Sequence, residues 1–145
     1  MRDEAERNKA LVERYFECVA SGDPGVADLF VEEALWLAPQ SSPVGRRHEG
    51  KPAVLALMAS GVGLYDTSRP MDIRREAIAA EGDRVFVEMT IRATSGQGAP
   101  YENHYVMVFT LRDGRIVEVH EHVDTLYAQR LLFDPVGWRS PLDEG

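Results

Sequence analysis

The stretch YENHYVMVFTLRDGRIVEVHEHVD, residues 101–124, decides the fold of this chain. Its middle contains the dipeptide Asp113-Gly114, which favours the left-handed backbone of a tight β-hairpin turn. Apolar and polar residues alternate on both sides of this turn, and alternation is the period of a β-strand. We therefore predict two long antiparallel strands, one over 101–112 and the other over 115–124.

In the rest of the chain, helical periodicity dominates the N-terminal part and strand periodicity follows it. The predicted elements, in chain order, are a helix over 4–20, a short helix over 24–30, a short strand over 33–38, a helix over 51–60, strands over 71–79 and 84–94, and a short helix over 125–132. We expect loops over 40–50 and 61–70 and an irregular tail from residue 134. This order predicts an α+β fold, and a strongly curled sheet packed on a few helices would enclose a cavity.

Length and composition limit the class of protein. The chain has 145 residues and a formal net charge of −8, which predicts one acidic globular domain spanning 1–145. An acidic chain is a poor partner for nucleic acid or for an anionic membrane surface. The single cysteine, Cys18, excludes a disulfide framework and a multi-cysteine zinc site. Because the N-terminus is charged and no apolar run is long enough for a membrane helix, we expect a soluble cytoplasmic protein.

Glu121 is the candidate catalytic residue, because strand alternation puts it on the same face as Val117, Val119 and Val123. A carboxylate among valines is unfavourable unless it is paired or functional. Desolvation would raise its pKa, which suits a general acid or base near neutral pH. Three interpretations remain open at this point: a proton-transfer residue, a structural carboxylate held by a tyrosine or an arginine, or an edge position where this face of the strand is solvated.

Other polar and aromatic residues could line the same space. Asn103 and Tyr105 share one face of the preceding strand and lie toward the end that Glu121 occupies. Tyr15 lies on the apolar face of the first helix, and an ordinary role in the core is an equally simple interpretation of any of these aromatic residues. The predicted lining is completed by Trp36 on the first short strand, Leu57 on the third helix and Met89 on the strand over 84–94.

The spacing of His120 and His122 places both imidazoles on one strand face, opposite the apolar one. Two histidines at this spacing can share a metal, but a third ligand is needed. This face, with Glu118, is expected to be exterior or part of a subunit interface. We therefore expect neither a metal nor an organic cofactor.

Two stretches carry a resemblance to a known superfamily. ERYFECVASGDPGVADLFVEEALWLAP, residues 13–39, resembles the opening of the ketosteroid isomerase and SnoaL-like polyketide cyclase superfamily. YENHYVMVFTLRDGRIVEVHEHVDTLYAQRLLF, residues 101–133, looks most like the phenazine-biosynthesis A/B proteins within it. The resemblance covers about residues 8–133 and leaves the tail 134–145 outside. It implies a nuclear transport factor 2-like fold, in which a cone of curved sheet and about three helices enclose a deep pocket, usually in a homodimer.

The resemblance also implies roles for three residues. Tyr15 sits where ketosteroid isomerases carry the oxyanion-hole tyrosine. Glu121 sits where the phenazine A/B proteins carry a pocket glutamate used as an acid or base. Asn103 falls on a strand position that commonly lines the pocket.

The departures from the superfamily pattern are equally informative. The catalytic aspartate of ketosteroid isomerases, which precedes the proline of the first strand, is replaced by Ala38. The region of their second oxyanion-hole acid holds Tyr105 and Val106. Where the phenazine proteins carry His and Ser on the third helix, this chain has Leu57 and Gly61. These differences argue against both familiar reactions.

The sequence therefore predicts an acid/base isomerase, cyclase or dehydratase that acts on an apolar, polyketide-like or steroid-like ligand. Glu121 would move the proton, and Tyr15 with Asn103 or Tyr105 would stabilise an enolate oxygen. Two alternatives remain. A non-catalytic ligand-binding or dimerisation domain is favoured by Ala38, and an epoxide hydrolase would need a second acid in the pocket.

Overall fold

The chain packs helices against one mixed sheet, and the computed structural model describes residues 3–143. The helices and strands are α1 (Glu4–Ser21), β1 (Phe30–Leu37), β2 (Arg47–Glu49), α2 (Lys51–Val62), β3 (Asp72–Glu81), β4 (Arg84–Thr94), β5 (Pro100–Arg112), β6 (Arg115–Val123) and α3 (Thr125–Ala128). Shorter helical turns lie at Pro24–Leu29, Gln129–Phe133, Asp134–Val136 and Pro141–Asp143. Within residues 3–143, no helix combines the length and the apolar character that crossing a lipid bilayer requires.

The sheet is built around the predicted hairpin. Across the described residues, six strands pair in the order β2-β1-β6-β5-β4-β3. The pairing of β1 with β6 is parallel, and the other four pairings are antiparallel. The β5–β6 hairpin is confirmed, and its turn residues Asp113 and Gly114 have φ values of 51° and 76°. Positive φ at both central residues is what the favoured two-residue turn requires.

The structure differs from the predicted elements at several points, and its first strand, for example, begins at Phe30 rather than at residue 33. The loop predicted over 40–50 contains β2, a three-residue edge strand in which His48 pairs with Trp36 of β1. Because β2 has no apolar alternation, periodicity gave no sign of it. The helix predicted over 125–132 is α-helical as far as Ala128 and then widens into a π-helical turn that ends at Phe133.

A β-bulge in β6 corrects one residue of the predicted inward face. The pairing of β6 with β5 skips Val117, so that two residues of β6 span one step of its partner. As a result, the fully buried Ile116, rather than Val117, continues the inward face. Beyond the bulge the prediction is correct, because Val119 is fully buried and Glu121 faces inward.

Aromatic packing fixes α1 against the concave face of the sheet. The helix contacts β3 and β4. Its Tyr15 ring meets Phe16 and Phe109 edge-to-face, with ring centroids 5.0 and 5.2 Å apart. Such pairs contribute about 0.5–1.5 kcal/mol each beyond the burial of their surface. This packing holds the Tyr15 side chain in one orientation.

Candidate active site

A cavity of about 240 Å³ lies between the concave face of the sheet and the helices. Its walls are mostly apolar and include Phe16, Leu57, Met89 and Met107. Glu121 is the one acidic side chain that lines the cavity within residues 3–143. The cavity therefore presents a single carboxylate to an apolar space.

Glu121 is positioned by two neighbouring strands. It lies opposite Met107 of β5, and on its other side the parallel strand β1 brings Trp36 beside Val119. From there the indole Nε1 of Trp36 donates a hydrogen bond to Glu121 Oε1 over 3.1 Å. The other oxygen, Oε2, accepts no hydrogen bond from any side chain or backbone group of residues 3–143.

The environment of Glu121 favours its protonated form. Desolvation by burial raises the pKa of this carboxyl above its ordinary value of 4.5, and the hydrogen bond from Trp36 partly opposes the rise. The residue nevertheless keeps an intermediate exposure, because its carboxyl group faces the cavity rather than packed atoms. A carboxyl group with a raised pKa binds its proton more tightly than a free glutamate does, and it can both take and return a proton.

Tyr15 supplies a free hydrogen-bond donor to the same cavity. Its side chain is 5% exposed and lines the cavity. Its hydroxyl has no hydrogen-bond partner in the described part of the chain. Burial, and next the charge of Glu121, raise the pKa of Tyr15, so the hydroxyl keeps its proton. The carboxyl and the phenol are therefore close enough to influence each other.

A group of three tyrosines, Tyr65, Tyr101 and Tyr105, forms a second polar region. The hydroxyls of Tyr101 and Tyr105 are 2.7 Å apart, and the Tyr65 ring packs against Tyr101 with its centroid 5.6 Å away. Tyr65 and Tyr105 line the cavity, whereas Tyr101 lies behind them. Burial is the main cause that raises the pKa of each tyrosine, so all three are neutral.

The structure places six of the seven predicted site residues in the cavity wall, and these are Tyr15, Trp36, Leu57, Met89, Tyr105 and Glu121. The exception is Asn103, which is buried behind the tyrosines. Its Nδ2 donates to the Tyr101 hydroxyl over 2.9 Å and to the Asp124 carbonyl over 3.1 Å. The expectation that Asn103 lines the cavity is therefore wrong, because its amide is turned to groups of the protein.

Sequence reasoning did not find Tyr65. This residue lies in the segment after α2 that was predicted as a loop, and its backbone forms an isolated bridge with Ser95. No apolar period runs through the segment, so the sequence carried no signal for the direction of the side chain.

The two histidines of β6 lie on the opposite face from Glu121. The rings of His120 and His122 are 4.3 Å apart and tilted by 40°. Burial, followed by the charge of His122, lowers the pKa of His120. Among residues 3–143, no group of three or more histidine, cysteine, aspartate or glutamate side chains is arranged to hold a metal ion.

Known proteins share this architecture. Residues 12–119 match the family model of the SnoaL-like domain. No curated protein matches the chain. Bal32a, from a soil-derived mobile gene cassette, is 28% identical with a TM-score of 0.78, over 94% of this chain and 100% of that one.

Two further solved structures show the same fold at lower identity. A nuclear transport factor 2-like protein of unknown function from Burkholderia pseudomallei is 24% identical with a TM-score of 0.76, over 88% of this chain and 98% of that one. A protein from Jannaschia sp. CCS1, described as a candidate SnoaL-like polyketide cyclase, is 19% identical with a TM-score of 0.77, over 91% of this chain and 96% of that one. The fold is therefore nuclear transport factor 2-like.

Proposed function

Because this chain belongs to the SnoaL-like domain family, we propose that it is a small-molecule isomerase, cyclase or dehydratase in which Glu121 moves a proton. The observation that carries this proposal is the hydrogen bonding of the Glu121 carboxyl group. One oxygen is held by Trp36, while the other faces an apolar cavity with no partner in residues 3–143. The polyketide cyclase description of the Jannaschia protein agrees with this reaction class.

The proposed reaction begins at a carbon next to a carbonyl group. The Glu121 carboxylate takes a proton from this carbon, and the electron pair of the broken C–H bond moves into an enolate. The Tyr15 hydroxyl donates a hydrogen bond to the enolate oxygen, where negative charge develops. Glu121 then returns the proton to the same carbon in exchange, to another carbon in isomerisation, or to the departing hydroxyl oxygen in dehydration. In cyclisation the enolate carbon attacks a second carbonyl group of the ligand, and Glu121 gives its proton to the alkoxide that forms.

The cavity also limits the ligand. A volume of about 240 Å³ lies below the range of about 300–1,000 Å³ that ligand pockets usually span. Walls such as Leu57 and Met89 offer no hydrogen bonds to a ligand. We therefore propose a compact, apolar ligand of two or three fused rings, at the small end of polyketide-like compounds.

A binding role without catalysis is the second candidate, and one observation favours it. The position of the ketosteroid isomerase base holds Ala38, which is fully buried and carries no acid. Epoxide hydrolysis receives less support, because the lining of the cavity within residues 3–143 offers no second acid beside Glu121. The closeness to phenazine-biosynthesis proteins and the homodimer remain predictions.

The pH dependence of proton exchange tests the proposal. The protein is incubated with 2-tetralone in deuterium oxide, and NMR follows the exchange of the hydrogens next to the carbonyl. We expect catalysed exchange whose kcat/KM rises with pH through a pKa above the ordinary value of 4.5 and then levels off, because the base must be ionised. Exchange no faster than in buffer, or a rate without this rise, would contradict the proposal. Calorimetric binding of 2-naphthol, a planar analogue of the enol, checks that the ring system enters the cavity.

A further inference from the structure

Tyr65 and Tyr105, with Tyr101 behind them, form a part of the cavity wall that the proposed proton transfer does not use. Tyr65 follows α2 and Tyr105 belongs to β5, whereas Tyr15 belongs to α1. Burial is the main cause that raises the pKa of Tyr15 and of Tyr65, and the charge of Glu121 adds to the rise in both, so the carboxyl group lies near both regions. An apolar cavity that carries hydrogen-bonding groups in two regions can bind a ligand at two points.

The amide of Asn103 holds the Tyr101 hydroxyl in place beside Tyr105. Asn103 Oδ1 accepts from the backbone N–H of His104 over 2.9 Å, which fixes Nδ2 on the side of Tyr101. An amide nitrogen can only donate, so the Tyr101 oxygen accepts from it. The Tyr101 hydroxyl keeps a second lone pair and its own proton, so either hydroxyl can donate in the 2.7 Å hydrogen bond between Tyr101 and Tyr105.

Either direction leaves hydrogen-bonding groups at the cavity wall. If Tyr101 donates, the Tyr105 proton is directed to Tyr65 or into the cavity; if Tyr105 donates, its second lone pair and the Tyr65 hydroxyl remain for a ligand. In both cases Tyr65 and Tyr105 line the cavity. Hydrogen bonds in such a network polarise one another, which strengthens a bond to a ligand oxygen.

We propose that Tyr65 and Tyr105 form a second hydrogen-bonding subsite, which binds an oxygen atom of the ligand. The ligand class is then an apolar ring compound with two oxygen functions, such as a hydroxyketone, a diketone or a quinone. Asn103 is a positioning residue for this subsite, because it acts through Tyr101. A ligand without the second oxygen would cover these hydroxyls and leave them unpaired, which is unfavourable. The subsite lies in the same cavity as the proposed function, but it does not depend on proton transfer.

Calorimetry with three naphthols tests the subsite. The probes are 2-naphthol, 2,6-dihydroxynaphthalene and 2,7-dihydroxynaphthalene. We expect at least one dihydroxy isomer to bind the wild-type protein about 3- to 10-fold more tightly than 2-naphthol, which is the effect of one additional hydrogen bond. Tyr65→Phe should abolish this difference while changing the affinity for 2-naphthol by less than about twofold.

Tyr127→Phe is the matched control. The Tyr127 ring also packs on Tyr101, with centroids 5.4 Å apart, but its hydroxyl accepts from the backbone N–H of Glu102 and does not line the cavity. The affinities of the Tyr127→Phe variant for all three probes should equal those of the wild type. Tyr105→Phe provides a second test of the subsite, and urea unfolding of each variant verifies that it is folded.

The same titrations in Glu121→Gln separate the subsite from the proposed function. If Glu121→Gln still prefers a dihydroxy isomer but no longer catalyses proton exchange, both proposals stand. A wild-type protein that binds all three probes equally, or a preference that survives in Tyr65→Phe and Tyr105→Phe, would overturn the subsite and leave the proton-transfer proposal intact. If the wild-type protein catalysed no exchange but preferred a dihydroxy isomer in a way that depends on Tyr65, only the proposed function would be refuted.

Discussion

Glu121→Gln is expected to lower the rate of proton exchange in 2-tetralone by about 10²- to 10⁴-fold, the usual contribution of a positioned acid or base. Glutamine keeps the shape of the side chain and an oxygen that can accept from Trp36 Nε1. It has no basic oxygen that could take a proton from carbon. The chemistry should therefore be lost while the cavity is kept, and NMR exchange rates at saturating 2-tetralone measure the loss.

Glu118→Gln is the matched control for this substitution. Glu118 belongs to the same strand, β6, but it does not line the cavity. Its exchange rate should stay within about twofold of the wild type, as expected for a residue that does not act on the reacting atoms. A Glu121→Gln protein that retains the wild-type rate would remove Glu121 from the mechanism.

Stability measurements show whether a loss of exchange reflects chemistry or unfolding. The pKa of Glu121 is raised in the folded protein, so the folded state binds this proton more tightly than the unfolded state does. The stabilisation from this proton is fully present below the ordinary pKa of 4.5 and is lost as pH rises through the raised pKa. Because glutamine carries no charge, Glu121→Gln should be at least as stable to urea as the wild type at neutral pH. If Glu121→Gln were less stable than the wild type at neutral pH, unfolding would explain the lost exchange rate.

Tyr15→Phe is expected to lower the exchange rate by about 10²- to 10³-fold, as the removal of one oxyanion donor does in other enzymes. The hydroxyl makes no hydrogen bond within residues 3–143, while the ring is held by Phe16 and Phe109. Phenylalanine preserves those ring contacts and removes the donor alone. The decrease should appear mainly in kcat, because negative charge develops on the ligand oxygen only during the reaction.

A matched tyrosine substitution serves as the control for Tyr15→Phe. Tyr127→Phe also removes one phenol, but from a position outside the cavity, so exchange should be unchanged. The free energy of unfolding of Tyr15→Phe should lie within about 0.5 kcal/mol of the wild type, since no protein contact of the hydroxyl is lost. If kcat were unchanged and only KM rose, Tyr15 would be a binding residue and not a stabiliser of the enolate.

Sequence patterns that extend over only a few residues predicted most of the fold. The Asp113-Gly114 turn and the alternation on both sides of it are local properties, and the structure has the hairpin where they predict it. β4 has its predicted bounds, and α1 extends one residue beyond the predicted helix. By contrast, the polar edge strand β2 exists because it pairs with β1, and nothing within its own three residues requires a strand.

The candidate site divides in the same way. The alternation that puts Glu121 on the inward face is local, so its role as a candidate followed from the sequence. The hydrogen-bond partner of Glu121 could not be predicted from the sequence, because Trp36 lies 85 positions away and reaches Glu121 through the parallel pairing of β1 with β6. The positions of Tyr65 and Asn103 also depend on packing between distant segments, which placed Tyr65 in the cavity wall and Asn103 behind it.

The sequence by itself determined an α+β fold around one hairpin, an inward-facing carboxylate at Glu121 and a tyrosine, Tyr15, on the apolar face of the first helix. These features follow from turn chemistry and from the periods of strands and helices, which act over a few residues. Only the tertiary structure decided that packing leaves an apolar cavity between the helices and the sheet, that Trp36 holds the carboxylate and that the hydroxyls of Tyr101 and Tyr105 meet beside the Tyr65 ring. Cavities and hydrogen bonds between distant strands depend on sheet curvature and register, and both arise only when all of the elements pack together.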